Sequence, residues 1–242
     1  MTRIFKFVGI AVAIVFFCSS VFAQSPPTVT KHIGNLIWLE CEISQAVYQG
    51  KFTRPPAGCY RQWRNAVQFT PHDQQKQGTY NSKTDSIELR IGKDLYKTAP
   101  SQVDASYVFT RNGKPIMKLT SELVTFSPNR SLQNIGGQAV WEFAGAPETF
   151  AVLVEEKDMR LPSQVQKAYE PYGIYNKLIF VGQKDDRFFV MYDGQKIGDE
   201  FDEIFIAFCC EPVAYSVQQG NGAYLFQGKR DGKYYLVKIS AG

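Results

Sequence analysis

Past Asp85 the chain alternates apolar and polar residues with a period of two. Ile87, Leu89 and Ile91 fall on one face and polar residues on the other, the signature of a strand with one buried side. Tyr107-Val108-Phe109-Thr110 and Pro115-Ile116-Met117-Lys118-Leu119 flank Arg111-Asn112-Gly113-Lys114. Asn-Gly tolerates the positive φ of a tight turn, so this stretch predicts a hairpin. Three later units repeat the layout of strand, polar turn, strand. They are Ala139–Phe143 with Phe150–Val154, Lys177–Val181 with Phe188–Tyr192, and Val213–Val217 with Ala223–Phe226. Their starts lie 38 and 36 residues apart, an irregular repeat. Asp193-Gly194 and Asp231-Gly232 add two turns, the second leading into Tyr234–Ile239.

The first part of the chain is less regular. Leu36, Leu39, Ile43, Ala46 and Val47 share a helical face, making Ile33–Gly50 the best candidate for a helix, with a strand pair as the alternative. Cys59–Phe69 is ambiguous. Thr70–Asp85 is polar, with Pro71 and Gly78, and predicts an exposed loop and a subdomain boundary. Near Leu161–Pro171, Val165, Ala168 and Tyr169 have helical spacing, but Pro162 and Pro171 confine a helix to about two turns. The expected fold is mainly β, with repeated antiparallel hairpins, partial propeller-like or β-sandwich, and a short α or irregular N-terminal part. The expected organisation is a signal peptide over 1–23, a disulfide-containing segment over 24–84 and a β-rich, repeat-like domain over 85–242.

Some short motifs carry a family resemblance. Phe126-Ser127-Pro128-Asn129 is close to a Phe-Ser-Pro-Asp turn, and Pro212-Val213-Ala214-Tyr215 is close to a Val-Ala-Tyr strand. Tyr192-Asp193-Gly194-Gln195-Lys196-Ile197-Gly198 resembles a turn between successive blade elements. From Thr120 to Lys238 the chain thus resembles the blades of bacterial TolB-like or WD40-like β-propellers. The resemblance implies an interaction surface and identifies no catalytic residue. With about 40–45 residues per blade there is room for fewer than five blades. A partial propeller, stacked hairpins and a sandwich all satisfy the periodicity.

The N-terminus changes the charge picture. Arg3 and Lys6 precede an apolar stretch from Phe7 to Phe17, and Val21-Phe22-Ala23 closes it in the manner of a signal peptide cleaved before Gln24. A retained anchor is the alternative. Val15-Phe16-Phe17 before Cys18 lacks the small residues of a lipoprotein signal. The 242-residue chain has 27 Lys+Arg and 23 Asp+Glu, a net +4; cleavage removes two cations and leaves +2. That balance gives no case for a nucleic-acid or anionic-membrane partner. No later stretch is long enough to span a membrane, so the expected product is periplasmic or secreted. With 44% hydrophobic and 21% charged residues the chain can bury a core, which excludes a wholly disordered or collagen-like chain.

Candidate chemistry is sparse. Export permits disulfides, and the mature chain retains Cys41, Cys59, Cys209 and Cys210. A Cys41–Cys59 bridge is preferred, closing a loop worth about 3 kcal/mol. Cys209 and Cys210 are expected as structural thiols or a crosslink, with a vicinal disulfide as the sharper alternative. His32 and His72 are the only histidines, and His72-Asp73 has no nucleophile turn beside it. The acidic group Asp185, Asp186, Asp193, Asp199, Glu200, Asp202 and Glu203 lacks EF-hand spacing and is expected on solvated turns and a charged strand edge. No metal and no cofactor is expected. Tyr192, Tyr215, Tyr224, Tyr234 and Tyr235 are the tyrosines expected at the surface, the first four as a candidate binding set. The leading expectation is an exported, non-enzymatic binding or interaction protein for an unknown macromolecule or small ligand. The alternatives are an exported hydrolase using carboxylates or His72, and a structural cell-envelope component.

Overall fold

The computed structural model describes residues 28–45, 78–104, 106–120, 132–145, 149–206, 217–220 and 222–242. The first hairpin joins β1 (Thr28–Ile33) to β2 (Leu36–Ile43). Next comes an antiparallel meander of β3 (Thr79–Asn81), β4 (Ser86–Ile91), β5 (Asp94–Pro100), β6 (Ser106–Arg111) and β7 (Lys114–Thr120), the first sheet. The second sheet is β8 (Leu132–Ile135), β9 (Gln138–Gly145), β10 (Thr149–Val154) and β11 (Lys157–Asp158). A single helical turn, α1 (Arg160–Ser163), leads to the third sheet of β12 (Lys167–Ile174), β13 (Lys177–Lys184), β14 (Arg187–Tyr192) and β15 (Gln195–Phe201). The fourth sheet contains β16 (Glu203–Ile204), β17 (Gln218–Gly220), β18 (Ala223–Arg230) and β19 (Lys233–Ala241). Its order is β1-β2-β19-β18-β16, with β17 also on β18, so the first hairpin belongs to the last sheet.

Hydrophobic patterning explains the stacking. One core lies between the first and second sheets, where Ile87, Leu89, Tyr96 and Phe109 meet Leu132, Trp141, Phe143 and Leu153. The other face of the second sheet packs on the third through Ile135, Val140 and Val152 against Phe180, Phe189 and Met191. The third sheet turns Ile179, Val181, Val190 and Phe201 to the fourth, which supplies Trp38, Tyr224, Phe226, Val237 and Ile239. The mainly β, hairpin-built fold is therefore a stack of four antiparallel sheets, with partial propeller-like or sandwich character.

Several sequence expectations meet the structure here. The hairpins at 106–120, 138–154 and 177–192 form with their anticipated antiparallel pairing. Asn112-Gly113, Asp193-Gly194 and Asp231-Gly232 have positive φ at both turn residues, matching the strand twist. In the third repeated unit, residues 213–216 lie outside the described residues, and the strand that pairs with β18 starts at Gln218. The helix expected at Ile33–Gly50 is corrected over Leu36–Ile43, which is β2; residues 46–50 lie outside the described residues. Leu36, Trp38 and Glu40 face the third sheet, while Cys41 and Ile43 join Leu236 in a small cluster of their own. Pairing on both sides with β1 and β19 overrides the helical spacing. The two-turn helix near Pro162 is likewise reduced to α1, and Ala168 and Tyr169 lie in β12. Of the loop expected over Thr70–Asp85, Thr79–Asn81 is β3, and residues 70–77 lie outside the described residues.

An aromatic cluster and an ion network fasten the first hairpin. Trp38 stacks on Phe201 at 6.4 Å between ring centroids and meets Phe226 edge-on at 6.1 Å. Gly198, at φ +65°, lies flat against the Trp38 ring, where a Cβ would overlap it. Arg230 reaches Glu40 at 2.5 Å and Asp199 at 2.8 Å, and Lys31 closes the network on Asp199 at 2.6 Å. Glu40 is 4% exposed, so its charge depends on that guanidinium. Arg230 also stacks on the Tyr235 ring, 4.4 Å from its centroid.

Gly198→Ala is expected to cost about 2 kcal/mol, combining a left-handed backbone with overpacking against Trp38; urea unfolding measures it. The hydrogen bond from Lys31 is the largest cause lowering the Asp199 pKa, with further help from the Lys31 and Arg230 charges against some desolvation. A depressed folded pKa contributes stability above the unfolded value and loses it as pH falls through the folded value. Asp199→Asn is therefore expected to lose about 0.5–1 kcal/mol at neutral pH, a modest figure because the pair is part-exposed. Melting curves of the two proteins converge as the pH falls through the depressed folded-state pKa of Asp199, below the ordinary carboxylate range.

Candidate binding surface at one end of the stack

At one end of the stack, turns from three sheets come together. The β12–β13 turn is Tyr175-Asn176, the β8–β9 turn is Gly136-Gly137, and the β1–β2 turn is Gly34-Asn35. Gly136, at φ +61°, sits against the Asn176 carbonyl so closely that a Cβ would collide with it. The Tyr175 hydroxyl donates to the Gly242 carbonyl at 3.0 Å, and the Gly242 N–H donates to the Asn35 carbonyl at 3.0 Å.

Tyr175 is the unusual residue in this group. Its φ is +52°, followed by +59° at Asn176, the doubly left-handed turn that tight hairpins require. Asn and Gly meet that demand at little cost, whereas a bulky residue in the left-handed region is a genuine outlier. The side chain is nevertheless 49% exposed, and among the described residues it is the one aromatic with a large exposed surface. The hydrogen bond to Gly242 fixes its direction. Polar groups surround it: Lys177 pairs with Asp193, and a hydrogen bond from Asn35 meets Tyr192. Desolvation raises the Tyr192 pKa, partly offset by Asn35 and Lys177. The arrangement offers a ring for stacking and amide, ammonium and carboxylate groups for hydrogen bonding.

A second polar cluster lies inside the stack. Glu170 is 6% exposed, has φ +52° and sits where the β12–β13 register shifts between Tyr169 and Tyr172. Its N–H donates to Glu142 Oε1 at 2.7 Å, and its carbonyl accepts from the Tyr224 hydroxyl at 2.8 Å and Gln219 Nε2 at 3.1 Å. Gln133 Nε2 donates to the adjacent Pro171 carbonyl at 3.0 Å. Burial raises the Tyr224 pKa well above the usual phenol value, and the Glu170 and Glu142 charges add to it. These groups satisfy the backbone that the bulge frees, which accounts for polar side chains in a dry interior.

The expected tyrosine surface is corrected. Tyr224 is fully buried between the third and fourth sheets, and Tyr192 is 8% exposed, because both point into the core face of their strands. Tyr234 and Tyr235 are half-buried, Tyr234 under the Lys229 ammonium; Tyr215 lies outside the described residues. Sequence reasoning missed Tyr175. The available signal was Tyr-Asn between two apolar runs, with Asn176 as the turn-former.

The remaining candidates separate in space. His32 is exposed on β1, while His72 and Asp73 lie outside the described residues. The acidic residues enter different interactions: Asp193 with Lys177, Asp199 with Lys31 and Arg230, Glu200 with Lys196, Asp202 with Arg187, and Asp185 with Gln166. Among the described residues no group of three or more His, Cys, Asp or Glu is placed to hold a metal ion. Cys41 is disulfide-bonded. Cys59, Cys209 and Cys210 lie outside the described residues. No helix among the described residues is long and apolar enough to cross a membrane. No family model, curated protein or solved structure matches the chain.

Replacing Tyr175 by Asn relieves the left-handed strain and removes one exposed hydrogen bond. Tyr175→Asn is expected to raise stability by a few tenths to about 1 kcal/mol in thermal or urea unfolding. A loss of stability contradicts this account of the turn.

Proposed function

We propose that the protein is an exported, non-enzymatic binding protein that receives its ligand at the turn end of the stack, with Tyr175 as the contact ring. The observation that carries this reading is the combination at Tyr175 of backbone strain, exposure and a fixed orientation. Strain retained at an exposed aromatic points to use of the ring, because the fold itself is better served by another residue. The hairpins supply a rigid support, and turn residues on a rigid scaffold are where binding groups concentrate.

Other parts of the reading rest on the sequence. Residues 1–23 act as a signal peptide, the product is periplasmic or secreted, and Cys59 is the partner of Cys41. The TolB-like or WD40-like resemblance is supported by consecutive stacked sheets and by a last sheet that takes strands from both parts of the chain. A hydrolase built on carboxylates would draw on Glu142 and Glu170, whose hydrogen bonds hold the β12 bulge; this favours the binding reading.

The test is a binding screen of the purified protein on arrays of oligosaccharides and of peptides, run in parallel with Tyr175→Asn. The expected outcome is a ligand class retained by wild type and weakened about tenfold or more in the variant, as for loss of an aromatic contact. Equal binding by a variant with an intact melting transition removes Tyr175 as the contact.

A further inference from the structure

We propose that the outer edge of β1 pairs antiparallel with β1 of a second copy of this chain, joining two fourth sheets into one continuous sheet.

The argument begins with a comparison of edges. An exposed strand edge presents unpaired N–H and C=O groups and is ordinarily blunted by proline, charge, bulges or shortness. On the first sheet, β7 has Pro115, exposed Lys114 and Lys118, and a register shift opposite it, while β3 is three residues long. The second sheet ends on β8, of four residues, and β11, of two. The third sheet is bounded by β12, with its bulge, and β15, with a register shift and the Lys196–Glu200 pair. The inner edge of the fourth sheet is built from β16 and β17, two and three residues long.

β1 lacks the proline, the bulge and the shortness that blunt those edges. It runs for six residues, pairs with β2 from Thr28↔Cys41 to Ile33↔Leu36 without a shift, and contains no proline. Among the described residues nothing pairs with its other edge. Thr28, Val29, Thr30 and His32 are exposed, Val29 at 44%. The charge of Lys31, which would otherwise discourage pairing, is drawn to Asp199 at 2.6 Å.

Register selects the occupant. Ile33 and Leu36 flank a two-residue turn and therefore form a hydrogen-bonded pair, as do Lys31 with Trp38 and Val29 with Glu40 by alternation. The N–H and C=O groups of Thr28, Thr30 and His32 consequently point outward. A twofold axis at Thr30 sets Thr30 against its own copy and Thr28 against His32 of the second chain, so all these groups find partners. On the other face Val29 lies against Lys31 of the copy, and no like charges oppose. Shifting the axis to Lys31 would oppose two ammonium groups, which is unfavourable.

Thr30→Pro tests the pairing, because it deletes an outward N–H while leaving the bonds to β2 in place. Sedimentation equilibrium of the purified, cell-processed protein is expected to show mass rising with concentration towards twice that of the monomer. Thr30→Pro is expected to weaken self-association about tenfold or more, through two lost hydrogen bonds per dimer and the clash of the ring. Its circular dichroism and melting midpoint stay near wild type. Hydrogen exchange gives a readout specific to the edge: the Thr28, Thr30 and His32 amides become protected as concentration rises. A protein that stays monomeric at its solubility limit overturns the proposal. So does a Thr30→Pro variant that dimerises as tightly as wild type, or edge protection that appears only when a foreign extended peptide is added to a monomeric chain. These outcomes are independent of what binds at Tyr175.

Discussion

The constraint on which the structure depends is burial of the middle sheets on both faces. β13 shows it most plainly. Ile179 and Val181 point into the core shared with the fourth sheet, and Phe180 between them points into the core shared with the second. A strand in that position has no solvent face and reads as an unbroken apolar run. β4, in the first sheet, instead alternates buried Ile87 and Leu89 with Glu88 and Arg90. The strength of alternation along the chain thus maps each strand to its layer. Two-sided burial also leaves no water to satisfy an irregular backbone, so the bulge at Glu170 brings Glu142, Gln219 and Tyr224 with it.

This explains how much of the fold was legible. Hairpins closed by Asn112-Gly113, Asp193-Gly194 and Asp231-Gly232 declared themselves, because the turn chemistry and the flanking strands agree. β2 was less readable: Leu36, Leu39 and Ile43 satisfy a helical spacing, and what makes the segment a strand is β19, far away in sequence. Short-range patterning does not contain that information. The same limit applies to the tyrosines. Tyr192 and Tyr224 resemble surface residues by composition, but strand phase and sheet stacking place both in the core. Tyr175 escaped notice for the opposite reason, since its importance lies in a backbone conformation that its residue type disfavours.

The first hairpin is held by three kinds of force that differ in range and sensitivity. Its hydrogen-bonded register with β19 is insensitive to salt. The packing of Trp38 among Gly198, Phe201 and Phe226 is set by shape. The Arg230 network is electrostatic, but the low exposure of Glu40 shields its central pair from ionic screening. A charged residue on a core-facing strand position is otherwise costly, and here the stacked guanidinium makes it tolerable. The hairpin therefore reads as an integral layer component despite lying far upstream of the strands it joins.

That arrangement has a bearing on how the protein is made. Glu40 and Arg230 are 190 positions apart, and β2 must await β19 before its second edge is satisfied. During synthesis β2 emerges well before β19, and Trp38 stays uncovered until the two strands pair. Closure over such a separation is entropically slow. A chain that leaves Trp38 exposed until β2 and β19 pair is the kind of client that chaperones cover.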